Sequence, residues 1–387
     1  MTTEPWLVDA DYDLDAFRRL VSSTTDPARV PYAVTIERNL PLYDGAAVHE
    51  INRHPVRRRE LLGELAWVIG DGPGALAIKG GLNQQDHRLD DATEIFQAII
   101  AEQRATGRAV GDHFAKPGSN DRVWNSHEKL AARDPAVFVA YYSSDAIALV
   151  CEAWLGPHYQ ITGQVNRVNP GGTAQSPHRD YHVGFYEPDQ MERFPRHVHV
   201  MSPALTLQAG IAHTDMPLDS GPTMLLPFSQ RWAAGFIAAL RPEFQEVFHE
   251  FKVQLPLSKG DVVFFSPAVM HGAGANVTSD FQRINNLLQV SSAFGRTMET
   301  MNTDLTSLAA YPFLLAIDDE RTRENVIGAA CEGYAFPTNL DHDPPIGGLA
   351  PRSPADTVRT AVDERWPIER LRKELEAHQA RRRGLEG

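Results

Sequence analysis

At 387 residues, 42% of them hydrophobic and 22% charged, the chain is long enough to bury a large core and has the make-up of an ordinary globular protein. Its net charge of −13 argues against a general nucleic-acid binder, which needs a basic face, but leaves room for a local basic pocket. Two isolated cysteines, Cys151 and Cys331, form no CxxC pair; no apolar run approaches the ~18 residues of a membrane span and the acidic start has no signal core, so a soluble, cytoplasmic protein with no membrane partner is expected.

Residues 1–73 read as a helical N-terminal extension, with amphipathic spacing over 13–21 and an Arg57-Arg58-Arg59 triplet leading into a second apolar run. Asp71-Gly72-Pro73-Gly74 breaks the pattern, and 75–79 reads as a short buried strand. Helices are expected at about 90–106 and 135–155. From 159 the texture turns to β, with strands over 159–168, 197–201, 204–212, 223–227, 251–255, 262–265 and 284–290. One helix is expected over 229–250. Seven or eight short strands with Gly/Pro turns and no βαβ rhythm predict a mainly β core of jelly-roll, cupin-like form over 74–295, with flanking helices and a helical C-terminal extension over 296–387. The whole reads as a single catalytic domain. The charge-rich helix near 368–383 is expected to cap the barrel or to pair two subunits as a homodimer.

Within this frame Ser176-Pro177-His178-Arg179-Asp180-Tyr181-His182 sets an imidazole and a carboxylate two residues apart, on one face if the stretch is extended. His271, after a buried strand and before Gly272, is the third-ligand candidate. Two His, one carboxylate and open positions describe the facial triad of non-haem Fe(II) oxygenases. A second HxD, His213-Thr214-Asp215, follows a long apolar strand and reads equally as a strand-end histidine satisfied by its turn. Arg283 lies between apolar neighbours in a strand. A buried arginine needs an anion, either in a structural ion pair or as a ligand carboxylate gripped by two charge-assisted hydrogen bonds.

The run Gln164-Val165-Asn166-Arg167-Val168-Asn169-Pro170-Gly171-Gly172, the His178/Asp180 dyad, Asp219-Ser220-Gly221-Pro222-Thr223 with Leu226-Pro227-Phe228-Ser229-Gln230, and His271 with Arg283 together resemble the phytanoyl-CoA dioxygenase family over roughly residues 74–295. The resemblance implies a double-stranded β-helix that binds Fe(II) through His178, Asp180 and His271 and uses O2 and 2-oxoglutarate, whose far carboxylate pairs with Arg283. It leaves His213 as a decoy. Family members often carry Ser or Thr where this chain has Ala273, so Thr223 or Asn166 is expected to supply that hydrogen bond, with Gln164 beside them. The implied reaction oxidises an unactivated C–H and releases succinate and CO2. A small metabolite or natural-product intermediate is the expected substrate, with Tyr181, His182, Phe185, Trp124 and Arg167 as candidate contacts. An acyl-CoA hydroxylase, or a cupin-like metalloprotein that does not use 2-oxoglutarate, remains open at this stage.

Overall fold

The computed structural model describes residues 5–8, 11–82, 87–107, 118–180 and 182–383. Ten strands are present among them: β1 Thr35–Glu37, β2 Leu40–Asp44, β3 Ala75–Lys79, β4 Asn120–Val123, β5 Gln160–Val168, β6 Thr206–Ala212, β7 Thr223–Leu225, β8 Val262–Phe265, β9 His271–Ala273 and β10 Arg283–Ser291. Eight make one sheet in the order β1-β2-β3-β8-β6-β10-β5-β4, and β7 pairs with β9 in a second. Every pairing is antiparallel except β2 with β3.

From β5 onward the chain shuttles between the two sheets. β5 lies in the large sheet; His178 then bridges to His271 beside the small one; β6 returns; β7 crosses again and bridges to Val253; β8, β9 and β10 alternate large, small, large. That winding is the double-stranded β-helix expected from the sequence.

The large sheet is wrapped on its outer side, and its strands show why. Along β10, Ile284, Leu288 and Val290 join a core with the helices, whereas Arg283, Asn285, Leu287 and Gln289 alternate onto the opposite, inward face. β5 does the same, with Ile161 and Val165 outward and Gln164 and Asn166 inward. The helices Leu89–Ala105, Ser126–Arg133, Pro135–Tyr142 and Asp145–Leu155 cover this outer face. Between the sheets a separate apolar cluster that includes Leu42, Ala77, Leu225, Val263 and Phe265 fills one end of the barrel. The other end holds a cavity in which a few polar side chains, His178, Asp180, His271 and Arg283 among them, converge between the rings of Trp124, Phe185 and Phe265.

Several expectations fail locally. The N-terminal region is not wholly helical: β1 and β2 form a hairpin whose two turn residues, Arg38 and Asn39, both have positive φ, and β2 extends the large sheet. No glycine marks that turn, so it reads as continuous chain. His197-Val198-His199-Val200-Met201 alternates like a strand but lies in the helix Arg196–Met201, and among the described residues no strand pairs with it. The helix expected over 229–250 is broken, and only Pro242–Phe251 is long, starting where Pro242 at its first position can stand without an N–H. Residues 251–255 make no strand, only the Val253 bridge. The 135–155 helix bends by 61° between Tyr142 and Asp145. Among the described residues no single helix is long and apolar enough to cross a membrane.

Candidate metal centre

His178 and His271 are directly opposed. Each donates its backbone N–H to the other's carbonyl, at 2.9 and 3.0 Å, and such a pair points both side chains to one face. Asp180, two residues on, joins them on that face, fixed by its own N–H to the Pro267 carbonyl at 3.1 Å. One ligand atom from each of the three residues falls within a 4.8 Å span. Asp180 stands 3.5 Å from His178 Nε2 and 3.3 Å from His271 Nε2.

The ring orientation is specified from behind. His178 Nδ1 lies 2.8 Å from the Ser176 carbonyl, and His271 Nδ1 lies 2.8 Å from the Val269 carbonyl. A carbonyl only accepts, so each Nδ1 carries a proton and each Nε2 is the atom turned toward Asp180; protonated there, it pairs with the carboxylate, and a metal ion would take that proton's place. Burial on its own raises the Asp180 pKa. The charge of His178, the hydrogen bond and charge of His271 and the hydrogen bond from Gln208 outweigh it and hold the carboxyl well below the usual carboxylate range. Gln208 Nε2 donates to Asp180 Oδ2 at 2.5 Å and approaches Gln289 Oε1 at 3.2 Å.

These residues line a cavity of about 300 Å³ that runs to Arg283. Arg283 is 4% exposed, and its one hydrogen bond is from Nη1 to the Ser220 carbonyl at 3.2 Å. Among the described residues its Nε has no partner and no carboxylate lies within ion-pair distance. Burial pushes its pKa down to about 10. A buried guanidinium without an anion is costly, so the cavity is built for a ligand that brings one. Thr223 and Asn166 line the same cavity, and Asn166 Oδ1 is buried without a partner. The donor set thus fits a divalent metal, and the far end fits a carboxylate.

The other expected contacts divide. Trp124 and Phe185 line the cavity. Gln164 does too: its Oε1 accepts from Arg122 Nη1 at 2.9 Å, and its Nε2 donates to Met298 Sδ at 3.3 Å. Arg167 is not brought to the cavity. Its neighbour Asn166 points inward, so Arg167 points outward, where it binds Asp121 at 2.9 Å beside Arg104. His182 opens the short turn His182–Phe185 with its ring nitrogens buried, off the cavity wall. Tyr181 lies outside the described residues.

His213, the alternative to His178, is buried in the outer layer between Thr93 Oγ1 at 2.8 Å and Tyr141 Oη at 2.9 Å. The residues that sequence reasoning missed are Gln208, Gln289, Asn285, Arg122 and Met298. Gln208 carried a signal, as the one amide in the apolar run 204–212.

The sequence profile of the family described as "Phytanoyl-CoA dioxygenase (PhyH)" matches residues 71–284, more than half the chain. Among curated proteins, "Dioxygenase andF" from Emericella variicolor is 27% identical over 138 residues, 35% of this chain and 43% of that protein. "Dioxygenase cdmD" from Talaromyces verruculosus is 28% identical over 128 residues, 33% of this chain and 38% of that protein. The chain therefore matches less than half the length of these relatives. Among solved structures, the epimerase SnoN in complex with Fe3+, alpha ketoglutarate and nogalamycin RO is 20% identical, covering 65% of this chain and 90% of that one at a TM-score of 0.41. HygX from Streptomyces hygroscopicus, with nickel, 2-oxoglutarate and hygromycin B bound, is 15% identical, covering 61% and 90% at a TM-score of 0.41. On the profile match, which takes in His178, Asp180, His271 and Arg283, the chain belongs to the phytanoyl-CoA dioxygenase family.

Proposed function

We propose that the chain is an Fe(II)- and 2-oxoglutarate-dependent dioxygenase that oxidises a C–H of a small metabolite or natural-product intermediate. One observation carries the reading: a single cavity joins an imidazole–carboxylate–imidazole cluster at one end to a buried guanidinium that has no counter-ion among the described residues at the other. His178, Asp180 and His271 hold the metal, and Arg283 holds the far carboxylate of 2-oxoglutarate. An iron ion held there supplies the oxygen-activating chemistry by which 2-oxoglutarate is split to succinate and CO2 and a substrate C–H is oxidised.

The chain's own part is geometric and electrostatic. The Ser176 and Val269 carbonyls fix both imidazoles in the tautomer that leaves Nε2 free. Gln208 keeps the Asp180 carboxylate turned toward them. Thr223 and Asn166 stand with Arg283 as further partners for the cosubstrate carboxylate, in place of the hydroxyl absent at Ala273. Gln164, engaged by Arg122 and Met298, belongs to the substrate side of the cavity with Trp124 and Phe185. A metalloprotein without 2-oxoglutarate has no use for Arg283 in this state.

Both cysteines are buried free thiols, in keeping with a reducing, cytoplasmic setting. A homodimer through the C-terminal region would rest on exposed Leu340, Ile346 and Leu349 rather than on the last helix, whose Leu371 and Leu375 are buried within the chain. Sedimentation at two concentrations tests that.

The reading is tested by anaerobic titration of the metal-free protein with Fe(II) and then 2-oxoglutarate, followed by visible absorption. A charge-transfer band on adding 2-oxoglutarate is the expected result. Iron binding without a band would leave a metal site and remove the cosubstrate.

A further inference from the structure

The inward faces of β5 and β10 give the barrel a depth scale. Their ladder pairs Arg283 with Val168, Asn285 with Asn166, Leu287 with Gln164, Gln289 with Thr162 and Ser291 with Gln160. Residues on one face recur every second position, about 7 Å apart. Arg283 marks the inner end. Gln289 stands three steps outward, and Gln208, directly opposite it on β6, holds Asp180. The metal centre therefore lies at the level of Gln289, and Gln160 stands one step, about 7 Å, beyond it.

A second cavity of about 620 Å³ opens at Gln160. Its other walls are the segment 295–303 and parts of the C-terminal region, ending in the helix Ile368–Arg383. Met298 lines both cavities, and its sulfur is the acceptor for Gln164 Nε2, so the two spaces meet at one side chain.

The wall chemistry of this outer space is distinct from the barrel core. Thr297, Thr300, Thr303 and Thr338 supply hydroxyls, and Gln160 and Gln379 supply amides. Three guanidiniums face one carboxylate. Arg382 grips that carboxylate, Glu332, with two hydrogen bonds at 2.6 and 3.1 Å. Among the described residues Arg296 makes no ion pair, and Arg383 acts on Asp304 through its charge without a hydrogen bond. In a chain of net charge −13, a cavity with uncommitted arginines is a local reversal of sign that attracts an anion. Nearly all of this wall lies outside residues 71–284, the part of the chain that the family profile matches.

We infer that the outer cavity is the substrate vestibule, which takes the body of a hydroxyl-rich carboxylic acid, with the acid against Arg296 and Arg383 and the reacting carbon reaching past Met298 to the metal centre. The inference rests on the oxygenase reading given above and names its substrate class. Its size falls within the range of ligand sites, about 300–1,000 Å³, whereas the inner cavity must also hold 2-oxoglutarate. The C-terminal helix is then a wall of the substrate channel.

The test uses the full chain loaded anaerobically with Mn(II) and 2-oxoglutarate, with D-glucuronate as the probe acid and methyl glucoside as its neutral counterpart. Saturation-transfer NMR reads probe binding with or without metal, and Mn(II)-induced relaxation of probe protons reads proximity to the metal centre. Glucuronate is expected to bind, to be relaxed by Mn(II), and to bind about tenfold more tightly than methyl glucoside. The exposed charge reversals Arg296→Glu and Arg383→Glu together are expected to remove about that tenfold preference. Glucuronate that fails to bind, binds without being relaxed by a retained Mn(II), or binds the double variant equally well overturns the vestibule. Failure of Mn(II) itself to bind strikes at the oxygenase reading, and saturation transfer still decides whether the outer cavity takes the acid.

Discussion

His178-Arg179-Asp180 and His213-Thr214-Asp215 have the same spacing and opposite fates. The first lies on the barrel's inner side, where the backbone pair with His271 turns both imidazoles toward Asp180 and into a cavity. The second begins one residue past β6, on the alternation that carries Leu207, Ala209 and Ile211 into the helix-packed core. His213 is enclosed there by Thr93, Tyr141 and the edge of Phe96, while Asp215 falls in the following turn and accepts from the Lys259 backbone N–H. The difference is one of phase: which side of the extended backbone a side chain leaves on decides between a cavity-facing imidazole and a packed core group.

The sharpest way to break the contrast is to remove the carboxylate. Asp180→Ala is expected to abolish the Fe(II)/2-oxoglutarate absorption band, whereas Asp215→Ala leaves it intact. A band that survives in Asp180→Ala removes that residue from the ligand set. Next in size is Arg283→Gln, expected to weaken 2-oxoglutarate binding by about a hundredfold, since losing one member of a buried charge pair costs roughly 2–5 kcal/mol. Arg283→Lys keeps the charge but not the planar fork and should fall between that variant and the native chain. Unchanged 2-oxoglutarate affinity in both would detach Arg283 from the cosubstrate.

Gln208→Leu probes the support behind the ligands. It removes the 2.5 Å hydrogen bond to Asp180 and replaces an amide by a side chain of similar size. Metal affinity is expected to drop about 10- to 100-fold, the usual cost of losing a partner of this kind. Equilibrium dialysis against Fe(II) measures it, and native affinity would show that Asp180 is held by other means.

How much of this was legible beforehand follows the same logic of phase. The dyad, the distal histidine and the buried arginine are chemistry-bearing residues in short motifs, and local sequence identifies them. The alternation along β10 is also readable, because Arg283, Asn285, Leu287 and Gln289 fall on one parity. Arg167 is not among the contacts, because Gln164 and Asn166 occupy the inward parity and Arg167, out of phase with them, turns to Asp121. The hairpin at Arg38-Asn39 and the helix Arg196–Met201 escaped for another reason: positive φ at non-glycine residues and the absence of a pairing strand are decided by tertiary context. The polar outer cavity was invisible, since its walls come from residues more than 200 positions apart.

The smallest effect tests the outer histidine itself. Burial pushes the His213 pKa down to about 3, and likewise that of His127, packed under Phe138 and Tyr142, to about 4. An exposed histidine in the unfolded chain titrates near 6.5. As pH falls below ~6.5 the unfolded state therefore binds a proton that the folded state refuses, and stability falls with pH through that window while it is fully present above it. One such group contributes a loss of about 2 kcal/mol between pH 7 and pH 5. Urea unfolding of His213→Gln at those two pH values should show a pH dependence smaller by about that amount, on a lower overall stability. The Fe(II)/2-oxoglutarate band of the variant should match the native one. If its stability instead falls with pH as steeply as in the native chain, His213 is open to protons in the folded state. The contrast between an accessible inner histidine and a sealed outer one would then fail on the outer side.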